Sequence, residues 1–482
     1  MLFNTIEFAL FLPIVFILYW FLMNRSYKLQ NVLLLVASYY FYACWDWRFL
    51  FLLIFSTLLD YYTGIKMSEA KNIVNKKFWF WLSISVNLGF LGVFKYYNFF
   101  ADSFANIIAN FGFHVNPWTL KVILPVGISF YTFHGLSYII DIYKGRIQAE
   151  KNFIDYSVFV SFFPLLVAGP IERATHLLPQ IQRERKFDYA KAIDGLRQIL
   201  WGLVKKVIIA DNCAHFANMF FDHPEQYSGS GLALGALFFT FQIYGDFSGY
   251  SDIALGTARL FGIELLQNFN YPYFSRDIAE FWRRWHISLS TWFRDYLYIP
   301  LGGSKGGTWM RVRNTFIIFL VSGFWHGANW TFIIWGFLNA LYILPSIIFN
   351  TNRNNLDIVA SGKYFPSLKE FFQIIITFIL TVFAWIFFRA KNLSEAFDYI
   401  ISIFSHSLFQ LPQFKGLTKA IITILLTLVF FTLEWIGREN DFAIQKIGFR
   451  WNSKLRWLFY FVLVFCIFYF AGKEQVFIYF NF

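Results

Sequence analysis

Apolar residues fill long, nearly unbroken blocks along this chain, and short polar breaks separate them. A helix needs roughly 20 predominantly apolar residues to cross a hydrocarbon core. Blocks approaching or exceeding that length lie at about 6–23, 31–45, 49–64, 78–97, 121–142, 195–221, 231–262, 314–349, 368–388, 418–436 and 456–471, with shorter pieces at 103–113, 153–169 and 397–409. The pattern predicts an all-α integral membrane protein of about eleven transmembrane helices with added re-entrant and interfacial helices. It forms a single polytopic domain over 1–482.

One block cannot be a single span. As one helix, 314–349 would run roughly 54 Å at 1.5 Å per residue, far beyond a core of about 30 Å. The stretch VSGFWHGANW at 321–330 supplies the break, since Gly323 and Gly327 are poor helix formers around His326. Non-helical backbone at membrane depth persists only where protein or a wet cavity satisfies it, which puts His326 on an internal cavity. The piece 153–169, ending FFPLLVAGP, reads as re-entrant.

Residues 276–303 have another character. At 100° per residue Ile278, Phe281, Trp282, Trp285, Leu289, Trp292, Phe293 and Tyr296 share one face, while Glu280, Arg283 and Arg294 lie opposite. This predicts one interfacial or re-entrant helix, ended by Pro300, Gly302 and Gly303, with His286 at the edge of the aromatic stripe. Arg283, Arg284, Arg294, Lys305, Arg311 and Arg313 concentrate positive charge here. They suit anchoring to anionic lipid, or a mouth that attracts the phosphates of an anionic donor.

Composition agrees with the blocks. The chain is 57% hydrophobic, 23% aromatic and 15% charged. Its net charge of +12 is scattered among spans with no basic domain, so the bilayer, and no nucleic acid, is the expected partner. Loops bearing Arg25 and Lys28, Lys66 to Lys77, and Lys144 to Lys151 fall on one side, which predicts a cytoplasmic face there and an external N-terminus. The N-terminal block lacks a basic start and a small-residue cleavage site, and reads as a retained span. Cys44, Cys213 and Cys466 are far apart within apolar segments, without metal-site or disulfide spacing.

Ionisable groups inside apolar blocks need partners. Arg259, two helical turns after Asp252, is the partner expected for that carboxylate; Asp246 lies in the same block. His134 reads as a structural core residue or a tunnel wall, and Glu172 and Arg173 as a mutual pair or a donor contact. His114, His176, His215, His223 and His406 sit near block ends and are expected in water. His326 is different. An imidazole titrates near neutrality and can take a proton from a hydroxyl, with walls from Phe324, Trp325 and Trp330 excluding water. A transporter gated by the broken helix is the rival class, though no internal repeat supports inverted halves.

Seven stretches carry a resemblance: PVGISFYTFHGLSYIIDIYKG (125–145), FFPLLVAGPIERA (162–174), QIYGDFSGYSDIALG (242–256), FWRRWHISLSTWFRDYLYIPLGG (281–303), GFWHGANWTFIIWG (323–336), WIFFRA (385–390) and FIYFNF (477–482). In this order they resemble the membrane-bound O-acyltransferase (MBOAT) family, in its bacterial branch of alginate O-acetyl and teichoic acid D-alanyl transfer. The resemblance implies a ring of helices around a central tunnel, with a family core over about 120–390. It implies His326 as the catalytic residue, His286 as a second catalytic position, and Arg283, Arg284, Arg294, Trp285 and Trp325 as donor contacts, with no metal. The implied activity is O-acetyl transfer from cytoplasmic acetyl-CoA toward a cell-surface or exported polysaccharide. A periplasmic or extracellular acetyltransferase partner of hydrolase-like fold would complete it, in the inner membrane of a bacterium. D-Alanyl transfer from a phosphopantetheinyl carrier protein is the alternative within the family.

Overall fold

The computed structural model describes residues 1–112, 119–120, 125–166, 169–472 and 475–481. His114, residues 121–124 of the 121–142 block, Val167 and Ala168 of the FFPLLVAGP stretch, and Phe482 lie outside them. The described residues form helices joined by turns, with no strand among them. The chain divides into two compact units.

The first unit, residues 1–192 and 258–266, holds α1 (Ile6–Ile17), α2 (Tyr27–Glu69), α3 (Ile73–Leu91), α4 (Tyr97–Ala109), α5 (Ile128–Tyr143), α6 (Phe153–Ser161), the single turn α7 (Phe163–Leu166) and α8 (Ala174–Ile181). The blocks 31–45 and 49–64 are the two arms of α2, kinked where Asp46 leaves helical geometry at φ −157° and ψ 109°. The 153–169 piece is not one crossing. Nine residues of α6 rise about 14 Å, the chain turns at Phe162, and α7 follows, buried from Asp155 onward. His134 is a satisfied core residue: its Nε2 accepts from the Glu172 backbone N–H at 3.1 Å. Glu172 is fully buried, lies 2.8 Å from His176 Nδ1 and accepts from Leu266 N–H at 2.6 Å, so His176 is tied to protein and not simply solvated.

The second unit, residues 193–257 and 267–482, holds most of α9 (Tyr189–Leu203), then α10 (Asp211–Asp222), nearly all of α11 (Gly229–Leu260), α12 (Ile278–Arg284), α13 (Ile287–Phe293), α14 (Gly307–His326), α15 (Trp330–Ile348), α16 (Leu368–Arg389), α17 (Leu393–Ile403), α18 (Leu417–Gly437) and α19 (Ser453–Tyr469). The 314–349 block folds as the hairpin α14–α15. Gly327 and Asn329 make the break, and Asn329 Oδ1 caps α15 by accepting from Thr331 N–H at 3.1 Å. Gly323 does not break the helix as expected; it lets the two arms touch. A Cβ there would lie 2.2 Å from the Phe332 carbonyl oxygen, and one at Gly336 2.2 Å from that of Phe319. Small residues at such contacts are how membrane helices approach closely without a hydrophobic driving force between them. Gly323→Ala is therefore expected to push the arms apart and cost about 1–3 kcal/mol, read as a lowered melting temperature in detergent.

Buried charges tie the same unit together. Lys205 lies 3.0 Å from both Asp252 and Glu434, and Lys206 lies 2.9 Å from Asp211 and 2.8 Å from Asp246. The partner of Asp252 is thus Lys205 and not Arg259, which pairs with Glu264. A lysine beside the carboxylate outcompetes an arginine two turns along the same helix, because the buried pair must be in contact. Lys206 also donates to the Gln475 carbonyl at 3.0 Å, and Asp246 accepts from Ile478 N–H at 2.7 Å, which holds the 475–479 segment in place.

Among the described residues, five helical runs are long and apolar enough to cross a membrane: Tyr27–Glu69, Ile73–Ala109, Trp330–Ile348, Leu368–Arg389 and Leu417–Gly437. Their outward positions carry large apolar side chains such as Phe51, Trp81, Phe372 and Leu425, the surface a bilayer requires. The protein is a multi-pass membrane protein.

Candidate active site

His326 ends α14 and is only 4% exposed. Gly327 carries the chain away in an extended conformation, and a Cβ there would strike the Phe332 ring at 2.1 Å, so the turn needs glycine. Four aromatic rings surround the imidazole: Trp325, Trp335, Phe388 and Tyr479, with centroids at 4.8, 5.1, 5.3 and 5.7 Å. The expected walls are partly different. Trp330 starts α15 and is 51% exposed, Phe324 is half-buried, and Trp325 stands against the ring.

His286 is not at a wet helix edge. It is 1% exposed, and it interrupts what the periodicity predicts as one helix. Its φ of 45° and ψ of 54° are left-handed, a conformation that costs a non-glycine residue of order 1–3 kcal/mol and persists only when surroundings impose it. The surroundings are the 268–270 segment. Ile287 N–H donates to the Asn268 carbonyl at 2.9 Å, and Asn270 N–H donates to the Arg284 carbonyl at 2.9 Å. Between them the His286 ring lies 2.9 Å from Asn268 Oδ1 through Nδ1. Phe247 packs edge-on at 4.7 Å and Trp325 at 6.3 Å. Trp325 therefore contacts both imidazoles, and Phe247 and Tyr479, 4.5 Å apart, close the other side.

The polar face expected for 276–303 is largely turned inward. Glu280 is 1% exposed and pairs with Arg276 at 3.1 Å and Arg284 at 2.8 Å. Asp357, held below the usual carboxylate range by its hydrogen bond to Arg276, extends this cluster. Of the expected donor contacts, Arg284 is committed to Glu280 and to the Asn270 and Asp357 carbonyls. Arg283 donates to the Asn352 and Asn355 carbonyls, Arg294 is exposed beside Asp295, and Trp285 is stacked on Phe281 in the aromatic core. The fold brings Trp325 to both histidines.

Two spaces are lined by residues shortly before and just after His326 along the chain, and His326 itself lines neither. A cleft of about 240 Å³ runs along the helix past Arg311, Thr315 and Ile318 to Ser322, one turn before His326, and includes Arg283, Leu289 and Ser290 from either side of His286. A cavity of about 660 Å³ begins at Gly327, immediately after His326, and continues past Phe332, Phe388 and Arg389. No group of three or more His, Cys, Asp or Glu side chains suited to a metal is present among the described residues.

Several site residues escape the sequence reading. Asn268 lies in the polar break QNFNYPYF with nothing local to mark it, and Tyr479 is visible only as part of FIYFNF. Lys205 and Lys206 carry a signal, two adjacent lysines inside WGLVKKVIIA, where buried cations imply buried partners.

The profile of the membrane-bound O-acyltransferase family matches residues 149–388. The probable alginate O-acetylase AlgI of Pseudomonas aeruginosa is 42% identical over 89% of this chain and 79% of its own length. The peptidoglycan O-acetyltransferase of Helicobacter pylori is 34% identical over 100% of this chain and 98% of its own. The teichoic acid D-alanyltransferase of Bacillus subtilis is 29% identical over 55% of this chain and 69% of its own. With a helical membrane architecture and two buried histidines sharing one aromatic wall, this chain belongs to the membrane-bound O-acyltransferase family.

Proposed function

We propose that this O-acyltransferase moves an acetyl group from cytoplasmic acetyl-CoA toward a polysaccharide outside the inner membrane, with His326 as general base. The observation that carries this reading is that chain neighbours of His326, before it and after it, line two different spaces. The cleft reaches one turn short of it on the side of α14 that begins near Arg311, and the cavity starts one residue beyond it. Each reactant approaches the imidazole along its own route, so the acyl group crosses while its carrier stays on its own side.

From Arg311 to His326 is 15 residues of helix, about 22 Å, which suits a donor with a charged head and a long flexible arm. Arg311 and Arg283 line the outer part of this cleft and supply the positive charge that phosphates need. At the inner end the acceptor hydroxyl gives its proton to His326, and its oxygen bonds to the thioester carbonyl carbon. The tetrahedral adduct then expels the thiolate by breaking the C–S bond. The imidazolium returns its proton to that sulfur, leaving the acetyl ester, free thiol and neutral histidine. Trp325, Trp335 and Phe388 keep bulk water from competing with the hydroxyl.

Acetyl is favoured over D-alanyl because the O-acetylating relatives match 89–100% of the chain, against 55% for the D-alanyltransferase. Those relatives act on alginate or peptidoglycan by name, which supports a polysaccharide acceptor here. The hydrolase-like partner on the external face, which would finish the transfer, and the external N-terminus belong to the same proposal. The test uses protein in lipid vesicles, labelled acetyl-CoA and a polysaccharide acceptor. Label should reach the acceptor faster than with protein-free vesicles; an equal rate would sink the reading. Arg311→Ala should raise the KM for acetyl-CoA about tenfold with kcat little changed, as expected for lost binding made equally in ground and transition states.

A further inference from the structure

Asn268 accounts for the strained backbone at His286, and its side chain does something further. Its Oδ1 faces three groups: His286 Nδ1 at 2.9 Å, Ser288 Oγ at 2.9 Å and the Ser288 backbone N–H at 3.4 Å. A backbone N–H can only donate, so the atom facing it is the amide oxygen and not the nitrogen. The nitrogen points the other way, toward Ser251 Oγ at 3.1 Å on α11. An oxygen that only accepts requires a proton on His286 Nδ1. In a neutral imidazole the other nitrogen then carries a bare lone pair. His286 Nε2 is buried and has no hydrogen-bond partner among the described residues.

We propose that Asn268 is a positioning residue that fixes His286 as the Nδ1–H tautomer, so that His286 meets substrate through Nε2 as a hydrogen-bond acceptor. This rests on the O-acyl-transfer reading and assigns the second histidine a role within it. Oxyanion stabilisation needs a donor aimed at the developing charge, and Nε2 in this tautomer has none to give. What it holds is an O–H or N–H. The acceptor hydroxyl supplies the first and an amide of the donor arm the second. The cleft lined by Leu289 and Ser290 of α13 brings a donor arm to this side of the site. Asn268, Ser288 and Ser251 thus form a relay that starts on α11, crosses the 268–270 segment and ends on the imidazole.

The tautomer can be read without any substrate. Full-length protein labelled with 15N-histidine in lipid, with the His286 signals identified by their loss in His286→Gln, should show a protonated, pyrrole-type Nδ1 and a pyridine-type Nε2. Asn268→Ala should convert this to mixed tautomers, while the melting temperature reports whether the variant is folded. A protonated Nε2 in the wild-type protein overturns the proposal. Kinetics provide the second arm. Asn268→Ala should lower kcat/KM for acetyl transfer 10- to 100-fold, through the KM of the donor if an N–H is held and of the acceptor if an O–H is held. Asn268→Asp keeps an acceptor at Nδ1 but adds a negative charge that favours the imidazolium. Its acidic limb should therefore move up by about one pH unit. A variant that loses folded protein yet keeps the wild-type pH profile and both KM values would make Asn268 merely structural. A wild-type enzyme inactive with acetyl-CoA would count against the proposed function, while the 15N spectrum still decides the tautomer.

Discussion

Replacing His326 by alanine is expected to lower kcat for acetyl transfer by about 10²–10⁴-fold, the usual contribution of a general base. The imidazole stands among Trp325, Trp335, Phe388 and Tyr479, and imidazole is the side-chain type suited to taking a hydroxyl proton near neutral pH. Truncation also opens a void among those rings, so alanine alone mixes chemistry with packing. His326→Gln fills most of the space and makes hydrogen bonds without titrating, and it should lose a comparable factor while melting close to wild type. Acetyl transfer by both variants at the wild-type rate, measured with labelled acetyl-CoA, would remove His326 from the chemistry.

Lys206→Met is expected to be the most damaging single change away from the histidines, costing about 3–5 kcal/mol of stability. Lys206 is 1% exposed and lies between Asp211 and Asp246 at 2.9 and 2.8 Å. Removing the cation leaves two buried carboxylates facing each other in a low-dielectric interior. The same loss frees the Gln475 carbonyl, which loosens the segment that brings Tyr479 to His326. Activity should therefore fall along with the melting temperature. Lys191 is the internal control. Its pair with Glu264 at 2.9 Å has both side chains about half exposed, and Lys191→Ala should change stability by no more than about 1 kcal/mol. Equal melting shifts for the two variants would mean that the buried pair contributes no more than the surface one.

The sequence makes some features legible and hides others for a physical reason. That the 314–349 block must break follows from length alone, because 36 residues of continuous helix do not fit a bilayer, and the glycines place the break at His326. The assignment of Gly323 to that break does not hold. Low helix propensity cannot distinguish a glycine that ends a helix from one that lets a neighbour approach. The aromatic stripe of 276–303 is real, but the periodicity runs straight through His286, where tertiary contacts from Asn268 impose a left-handed residue and split the helix in two. Glu280 looks like surface charge in a one-dimensional pattern. In the fold it is buried between Arg276 and Arg284, since a charge can be interior once its partners lie one turn either side.

What the chain determines by itself is the solvent it lives in, the apolar runs that become helices and the family whose motifs it carries. These are local or additive properties, readable from block length, composition and ordered stretches. Which partner each buried charge takes, which nitrogen of His286 faces Asn268, and that one tryptophan stands against both imidazoles were decided only by the tertiary structure. Several depend on residues far apart in the chain, up to 232 positions, being brought within bonding distance, and no periodicity along a chain encodes which distant segments will meet.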